Sequence, residues 1–254
     1  MEIYNISGKV IYESDADTMR QTVIDALWDK VDLSGASLSG LNLDGINFRN
    51  AILREADLSG SSICGNQFEG ADFSGAYMEE ADFGASNIRD ANFSGAYMER
   101  ADFAMSNICG VSFARAKLRG AKFDSCHING VDFTGADLTS ASLFWASLTD
   151  VCLRDANLRG VDLHETTGLY IIGPTQGLFG KFIYVVRRDD GQEPIISYGS
   201  HNEPASIFLR DFPQIMAYDR DGQLYEQQIR VAVQLMSGQP PKSYDYFAHL
   251  ASNR

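Results

Sequence analysis

Large apolar side chains recur at every fifth residue from Leu33 to Leu163, giving 27 units without an insertion. Two residues before each of these centres stands a small or compact residue, usually Ala or Val, with Ser61, Asn66, Ser86, Ser106 and Cys126 as the polar or sulfur-bearing variants. The other three positions are mostly Asp, Asn, Ser, Arg, Glu and Gly. A period of five fits neither the helical period of 3.6 nor the strand period of 2.0. A chain that turns inward at every fifth residue must bend sharply between those points, and Gly with short polar residues suits such bends. A second period lies over the first. ADFSGAYMEEADFGASNIRD at residues 71–90 and ANFSGAYMERADFAMSNICG at residues 91–110 agree at 14 of 20 positions. Four bends therefore complete a circuit, and the pattern predicts a coil of roughly square section whose turns stack like strands, about 4.8 Å apart. Each coil buries itself only against its neighbours, so both ends need caps.

The flanking segments carry different patterns. EIYNISGKVIYES alternates apolar and polar residues about Ser7-Gly8 and predicts a β-hairpin. Residues 17–30 follow as an amphipathic helix, capped by Asp15 or Asp17, with Met19, Val23, Ala26 and Leu27 on one face. Laid across the first coil it covers the open edge; the alternative is a partner-binding helix. All six prolines come after the repeats, so the architecture changes near residues 166–174. FIYVVRR, DDG and PIISYG predict a hairpin, and SIFLRDFPQIMAY and GQLYEQQIRVAVQLMSG predict two helices. The expected organisation is a hairpin and capping helix at residues 1–30, a solenoid at 31–165 and a small α+β domain at 166–254.

Units such as ADLSG at residues 56–60, ADFSG at 71–75, ADLTS at 136–140 and ANLRG at 156–160 resemble the pentapeptide-repeat family, whose consensus is A(D/N)LXX. The resemblance covers 135 of 254 residues. It implies a mainly β fold, a right-handed quadrilateral β-helix of nearly seven coils and on the order of 30 Å in length. Members of the family with an understood activity include acidic, dimeric DNA mimics that bind type II topoisomerases, inhibiting or protecting them. Two differences stand out. The gyrase-protecting members carry loops between coils, whereas this ruler is unbroken, and they commonly end in a short dimerising helix rather than in a domain of some eighty residues.

Charge narrows the choice of partner. The formal net charge is −13, of which the repeats carry about −9, so direct nucleic-acid binding, which depends on Lys and Arg at phosphates, is not expected. Between residues 69 and 102 the chain has eight acids, Glu69, Asp72, Glu79, Glu80, Asp82, Asp90, Glu99 and Asp102, against Arg89 and Arg100. The repeat of twenty puts Glu79 above Glu99, Asp82 above Asp102, and Tyr77 above Tyr97. Arg115, Lys117, Arg119 and Lys122 then reverse the sign. These ten acids and tyrosines form the candidate partner-binding surface, fitted to the basic surface of a DNA-binding protein: a type II topoisomerase, or a restriction or CRISPR complex. The rival reading is a scaffold that presents the C-terminal domain. Tyr244, Tyr246 and Phe247 in the tail are candidates for a homodimer contact.

Chemistry is sparse. GPTQGLFGK at residues 173–181 lacks the Gly and the Ser or Thr of a phosphate-binding loop, because Thr175 and Phe182 stand there. DRDGQLYE at residues 219–226 has Gly222 in fourth place, whereas a calcium loop needs it sixth. The stacked carboxylates have no cleft to exclude water, and the four histidines have no nucleophile at a suggestive spacing. Cys64, Cys109, Cys126 and Cys152 form no CxxC pair and read as free thiols. No enzyme activity, cofactor or metal is expected. With no eighteen-residue apolar run and no secretory signal at its start, the chain is expected to be cytoplasmic.

Overall fold

The computed structural model describes residues 1–172, 183–188, 192–198, 201–215 and 222–237. It divides into two compact units, Met1–Gly168 and Leu169–Arg254.

The first unit opens with an antiparallel hairpin of β1 (Glu2–Tyr4) and β2 (Val10–Glu13), with an irregularity in register between Ile3 and Tyr4. β1 also meets the first coil, where the Ser37 N–H donates to Tyr4 O at 2.8 Å and Asn5 bridges Ala36 antiparallel. Helix α1 (Met19–Trp28) buries Thr22, Val23 and Ala26. Its cap is Thr18 rather than Asp15 or Asp17: Thr18 is extended, and its hydroxyl accepts the Gln21 N–H. Arg20 ties the helix to the first coil by donating to Asp44 O at 2.6 Å.

Beyond Val31 the chain coils. Every fifth residue from 35 to 165 has a positive φ, thirteen of them glycine and fourteen not. At a typical corner the Ala76 N–H donates to Phe73 O at 3.0 Å and Gly75 takes φ +67°, the geometry of a type II turn. Between corners, backbone groups bond to the coils twenty residues before and after, as in the parallel bridges Asp57↔Tyr77, Tyr77↔Tyr97 and Tyr97↔Lys117. Four sides result. We number them by their centres: side one holds Phe73 and Phe93, side two Met78 and Met98, side three Phe83 and Phe103, side four Ile88 and Ile108. On side four the pairing lengthens into short parallel strands, β3 (Asn87–Arg89), β4 (Asn107–Cys109), β5 (His127–Asn129) and β6 (Ser147–Thr149), in register and in that order. Pairing continues to Thr167, which bridges Ser147 by accepting the Leu148 N–H and donating to Ala146 O, two residues past the expected end of the coil. At Gly168, φ +84°, an added Cβ would lie 1.7 Å from Leu148 O, so no side chain fits.

The interior is a set of stacked columns. Phe73, Phe93, Phe113 and Phe133 stack at 5.1, 5.2 and 5.4 Å, and Phe83, Phe103 and Phe123 at 4.7 and 4.9 Å. Rings on adjacent sides meet edge to face, as Phe103 and Phe113 do at 5.6 Å. One interior column is polar. Asn66 Oδ1 accepts the Ile46 N–H at 2.6 Å while its Nδ2 donates to Leu43 O at 3.0 Å. Ser86 Oγ accepts the Asn66 N–H, and Ser106 Oγ accepts the Ser86 N–H and donates to Phe83 O. These side chains are buried and replace bonds that the backbone leaves open at this corner. Asn66→Leu would strand the Ile46 N–H and the Leu43 carbonyl, so urea unfolding is expected to show a loss of about 2–5 kcal/mol, and a loss under about 0.5 would contradict the assignment.

The second unit is an antiparallel sheet with two helices. Strands β7 (Leu169–Ile172), β8 (Ile183–Val186), β9 (Ile195–Tyr198) and β10 (His201–Pro204) pair in sequence order, followed by α2 (Ala205–Ile215) and α3 (Gly222–Met236). The sequence pattern anticipates β8, β9 and both helices but not β7 and β10. Ile183, Val185, Ile196, Phe208, Ile229 and Ala232 form the core of this unit. Gly222 opens α3, where the sequence places the start of the second helix. The 173–181 loop, the DDG turn at 189–191 and Tyr244, Tyr246 and Phe247 lie outside the described residues.

Candidate protein-interaction surface

The side-chain consensus has a structural cause that precedes any function. The residue before each centre, where Asp and Asn predominate, turns its oxygen onto the N–H two residues on. Asp72 accepts from Ser74 at 3.1 Å, Asp82 from Gly84 at 2.9 Å, Asp102 from Ala104 at 2.9 Å and Asp137 from Thr139 at 3.1 Å. These are Asx turns, which satisfy corner N–H groups that the coil-to-coil pairing does not reach. Asp72, Asp82 and Asp102 are therefore half-buried structural residues as well as charges.

The ten candidate residues fall on two edges. Glu79, Glu80, Glu99 and Arg100 form the corner between sides two and three, with Tyr77 and Tyr97 on side two and Asp82 and Asp102 on side three. Glu69 and Asp90 stand at the corner between sides four and one, and Asp72 on side one, diagonally across the coil. A stretch of residues 69–102 winds through more than one and a half circuits, so closeness in sequence does not put these acids on one face. The first group is the denser. Tyr77 and Tyr97 are exposed and stack at 5.0 Å with 7° between their planes.

Several of the acids are partnered. Arg100 binds Glu80 at 2.6 Å, Lys122 binds Asp102 at 3.1 Å, Arg54 binds Asp72 at 2.5 Å and Arg49 binds Glu69 at 2.8 Å. Ion pairs that reach solvent in this way contribute little to stability. Glu79 and Glu99 do not project as the repeat pattern implies but lie half-buried along the surface. Ser59 Oγ donates to Glu79 Oε2 at 2.9 Å, and Glu99 Oε2 is enclosed with no hydrogen-bond partner among the described residues. Glu99 thus carries a carboxylate oxygen that no donor among the described residues satisfies.

Burial pushes the Asp72 carboxyl up, but hydrogen bonds from Arg54 and Ser74 outweigh it and hold the group below the usual carboxylate range. At Asp137 burial is likewise outweighed, there by Thr139, and at Asp32 the Ser34 hydroxyl and N–H lower the carboxyl. Each group binds its proton more weakly when folded than when unfolded, so its stabilisation is present above the unfolded value of about 3.9 and is lost as pH falls through the folded one. The melting temperature is expected to be level from pH 7 to about 5 and to drop below about 4. Asp72→Asn with Asp137→Asn should flatten that drop, since Asn still accepts the corner N–H; an unchanged acid limb would assign it elsewhere.

Among the described residues no group of His, Cys, Asp and Glu could hold a metal, and no helix is long and apolar enough to cross a membrane. Burial pushes the Cys64 thiol up to about 11 and the Cys126 thiol up to about 12, away from nucleophilic use. His127 and His164 are exposed.

A family model described as pentapeptide repeats matches the chain in eight copies, over residues 31–65, 67–104, 106–139, 116–155 and 141–167. The chain belongs to the pentapeptide-repeat family, and its first unit is accordingly a right-handed quadrilateral β-helix. Among solved structures it is similar to QnrB1, a plasmid-mediated fluoroquinolone resistance protein, at 21% identity over 51% of this chain and 85% of that one, TM-score 0.36. It is also similar to HetL of the cyanobacterium Nostoc, a protein involved in heterocyst differentiation regulation, at 18% identity over 57% and 93%, TM-score 0.24. A pentapeptide repeat protein of the Arabidopsis thaliana thylakoid lumen is 23% identical over 35% of this chain, TM-score 0.35, and the match spans 63% of its length. No curated protein matches the chain.

Proposed function

We propose that the chain is a non-enzymatic interaction protein, and that the corner between sides two and three occupies the DNA site of a basic DNA-binding protein. One observation carries the reading: Glu79, Glu80, Glu99, Asp82 and Asp102 stand beside a stacked tyrosine pair on a backbone that fixes their spacing. Carboxylates repeated at the coil spacing offer a basic groove regular negative charge, as a phosphate backbone does, with little ordering entropy left to lose on binding. A type II topoisomerase, a restriction enzyme or a CRISPR complex presents a groove of that kind. The fold class agrees with a protein-binding role, and the half-satisfied Glu99 carboxylate has a donor to gain from a partner.

The test is capture of proteins from a host extract on the immobilised chain, followed by elution with duplex DNA and with salt. The captured protein is expected to be released by duplex DNA and to dissociate steeply between about 50 and 200 mM salt. A second reading, in which the solenoid presents the C-terminal unit, is favoured by that unit's separate core. Retention that is indifferent to both salt and DNA selects it. Homodimerisation through residues 240–254 is part of the proposal. Light scattering on the full chain and on a chain lacking that tail should give a dimer and a monomer.

A further inference from the structure

We infer that the ridge formed by Phe144, Trp145 and His164 is a docking surface for an arginine side chain carried on a partner protein. The inference does not depend on whether the acidic corner imitates DNA.

The sequence departs from its own rule here. The two residues after each centre make the solvent-facing corner, and in 27 units they are small, polar or charged with few exceptions; only Phe144-Trp145 places aromatic rings at both. Trp145 holds a left-handed backbone, φ +57°, at a corner position that is glycine in thirteen units and another residue with a Cβ in thirteen more. For a residue with a Cβ that conformation costs on the order of 1 kcal/mol. The side chain recovers little burial in return, since 63% of Trp145 is exposed and 37% of Phe144. The strain is shared with thirteen other non-glycine corners, but the exposed aromatic pair is not, and it points to what this corner meets outside the chain.

The geometry specifies that ligand. The Phe144 and Trp145 rings lie 5.6 Å apart with 6° between planes, and Phe144 and His164 lie 6.2 Å apart with 9° between planes. Three near-parallel rings present flat π faces. Carboxylates surround them. Asp124 lies one coil before Phe144 in the same column and is held by the Ser142 hydroxyl, Glu165 lies one coil after Trp145, and Asp162 accepts the His164 backbone N–H at 2.9 Å. Among the described residues none of the three is in an ion pair. Aromatic faces bordered by unpaired carboxylates suit a planar cation that stacks and donates sideways, and guanidinium does both where an ammonium does only one. The ridge stands at the corner between sides three and four, at the other end of side three from the corner of Glu79 and Glu99.

Trp145 becomes the sole tryptophan in a Trp28→Phe background, and its emission is titrated with acetylated Gly-Arg-Gly, Gly-Lys-Gly and Gly-Leu-Gly amides. A saturable change is expected with the arginine peptide, several-fold weaker with lysine and absent with leucine. It should disappear in Asp124→Asn with Glu165→Gln, which keeps the Ser142 bond. No saturable change with arginine, or an equal response to leucine, overturns the inference. Trp145→Gly is expected to melt no lower than the parent, because glycine takes this φ without strain. A clear fall in melting temperature would make the tryptophan a structural residue, and a fall in solution mass would make a second copy of this chain the occupant; either result overturns it.

Discussion

Phe103→Asp is expected to unfold the first unit, seen as loss of the β-sheet signal in circular dichroism and of cooperative melting. Phe103 has no exposed surface and stacks on Phe83 at 4.7 Å and Phe123 at 4.9 Å, with Phe93 and Phe113 edge-on at 6.3 and 5.6 Å. Removing such a ring costs about 3–5 kcal/mol. A carboxylate in its place adds a desolvation penalty of several kcal/mol more with no partner in the column. Together these approach the whole stability of an ordinary domain, about 5–15 kcal/mol. The solenoid concentrates the damage, because each coil is stabilised only by its neighbours and a defect in the middle leaves two short stacks with uncapped ends. Phe103→Leu should cost far less, since Leu43 and Leu143 occupy the same column on side three. Glu99→Gln provides the opposite sign. It removes the charge from an enclosed oxygen that has no donor among the described residues, and is expected to leave the melting temperature unchanged or slightly raised. Equal tolerance of Phe103→Asp and Glu99→Gln would contradict the inward and outward assignment of the coil.

The repeat made the coil legible because a single rule recurs. Polar and glycine residues at the bends, apolar centres between them and identity at twenty residues define the left-handed corners from 35 to 165 and the parallel pairing of Tyr77 with Tyr97. Features that occur once were harder to read. Thr18 takes the α1 cap because its hydroxyl reaches Gln21, a choice among Asp15, Asp17 and Thr18 that composition does not make. β7 and β10 are four-residue strands with no repeat to announce them. The polar column was visible as Asn66, Ser86 and Ser106 standing at twenty-residue intervals where alanine is usual, yet only the structure shows that their side chains replace corner bonds. The candidate surface misled in an instructive way. Read linearly, residues 69–102 are one acidic stretch; wound with four sides to a circuit, Glu69, Asp72 and Asp90 move to the edge opposite Glu79 and Glu99. The consensus aspartates also proved to be corner acceptors, so their abundance reflects the fold before it reflects a partner.

That division of the acids yields an internal control for the proposed function. Glu79→Lys with Glu99→Lys changes the charge by about +4 at the corner between sides two and three. Glu69→Lys with Asp90→Lys makes the same change at the diagonal edge. Neither pair removes an Asx acceptor or an interior side chain, so both variants should keep the parent's circular dichroism. Affinity for the captured DNA-binding protein is expected to fall at least about 100-fold in the first variant, since placing two cations against a basic groove costs several kcal/mol. The salt dependence of whatever binding is left should shrink as well. The second variant, equal in net charge, should bind within a few-fold of the parent, which separates a local surface from a general attraction between an acidic protein and a basic one. Equal losses in the two variants would reduce the DNA-like corner to bulk electrostatics. Full binding by the first variant, together with complete loss on removing Leu169–Arg254, would transfer the function to the second unit and leave the β-helix as its support.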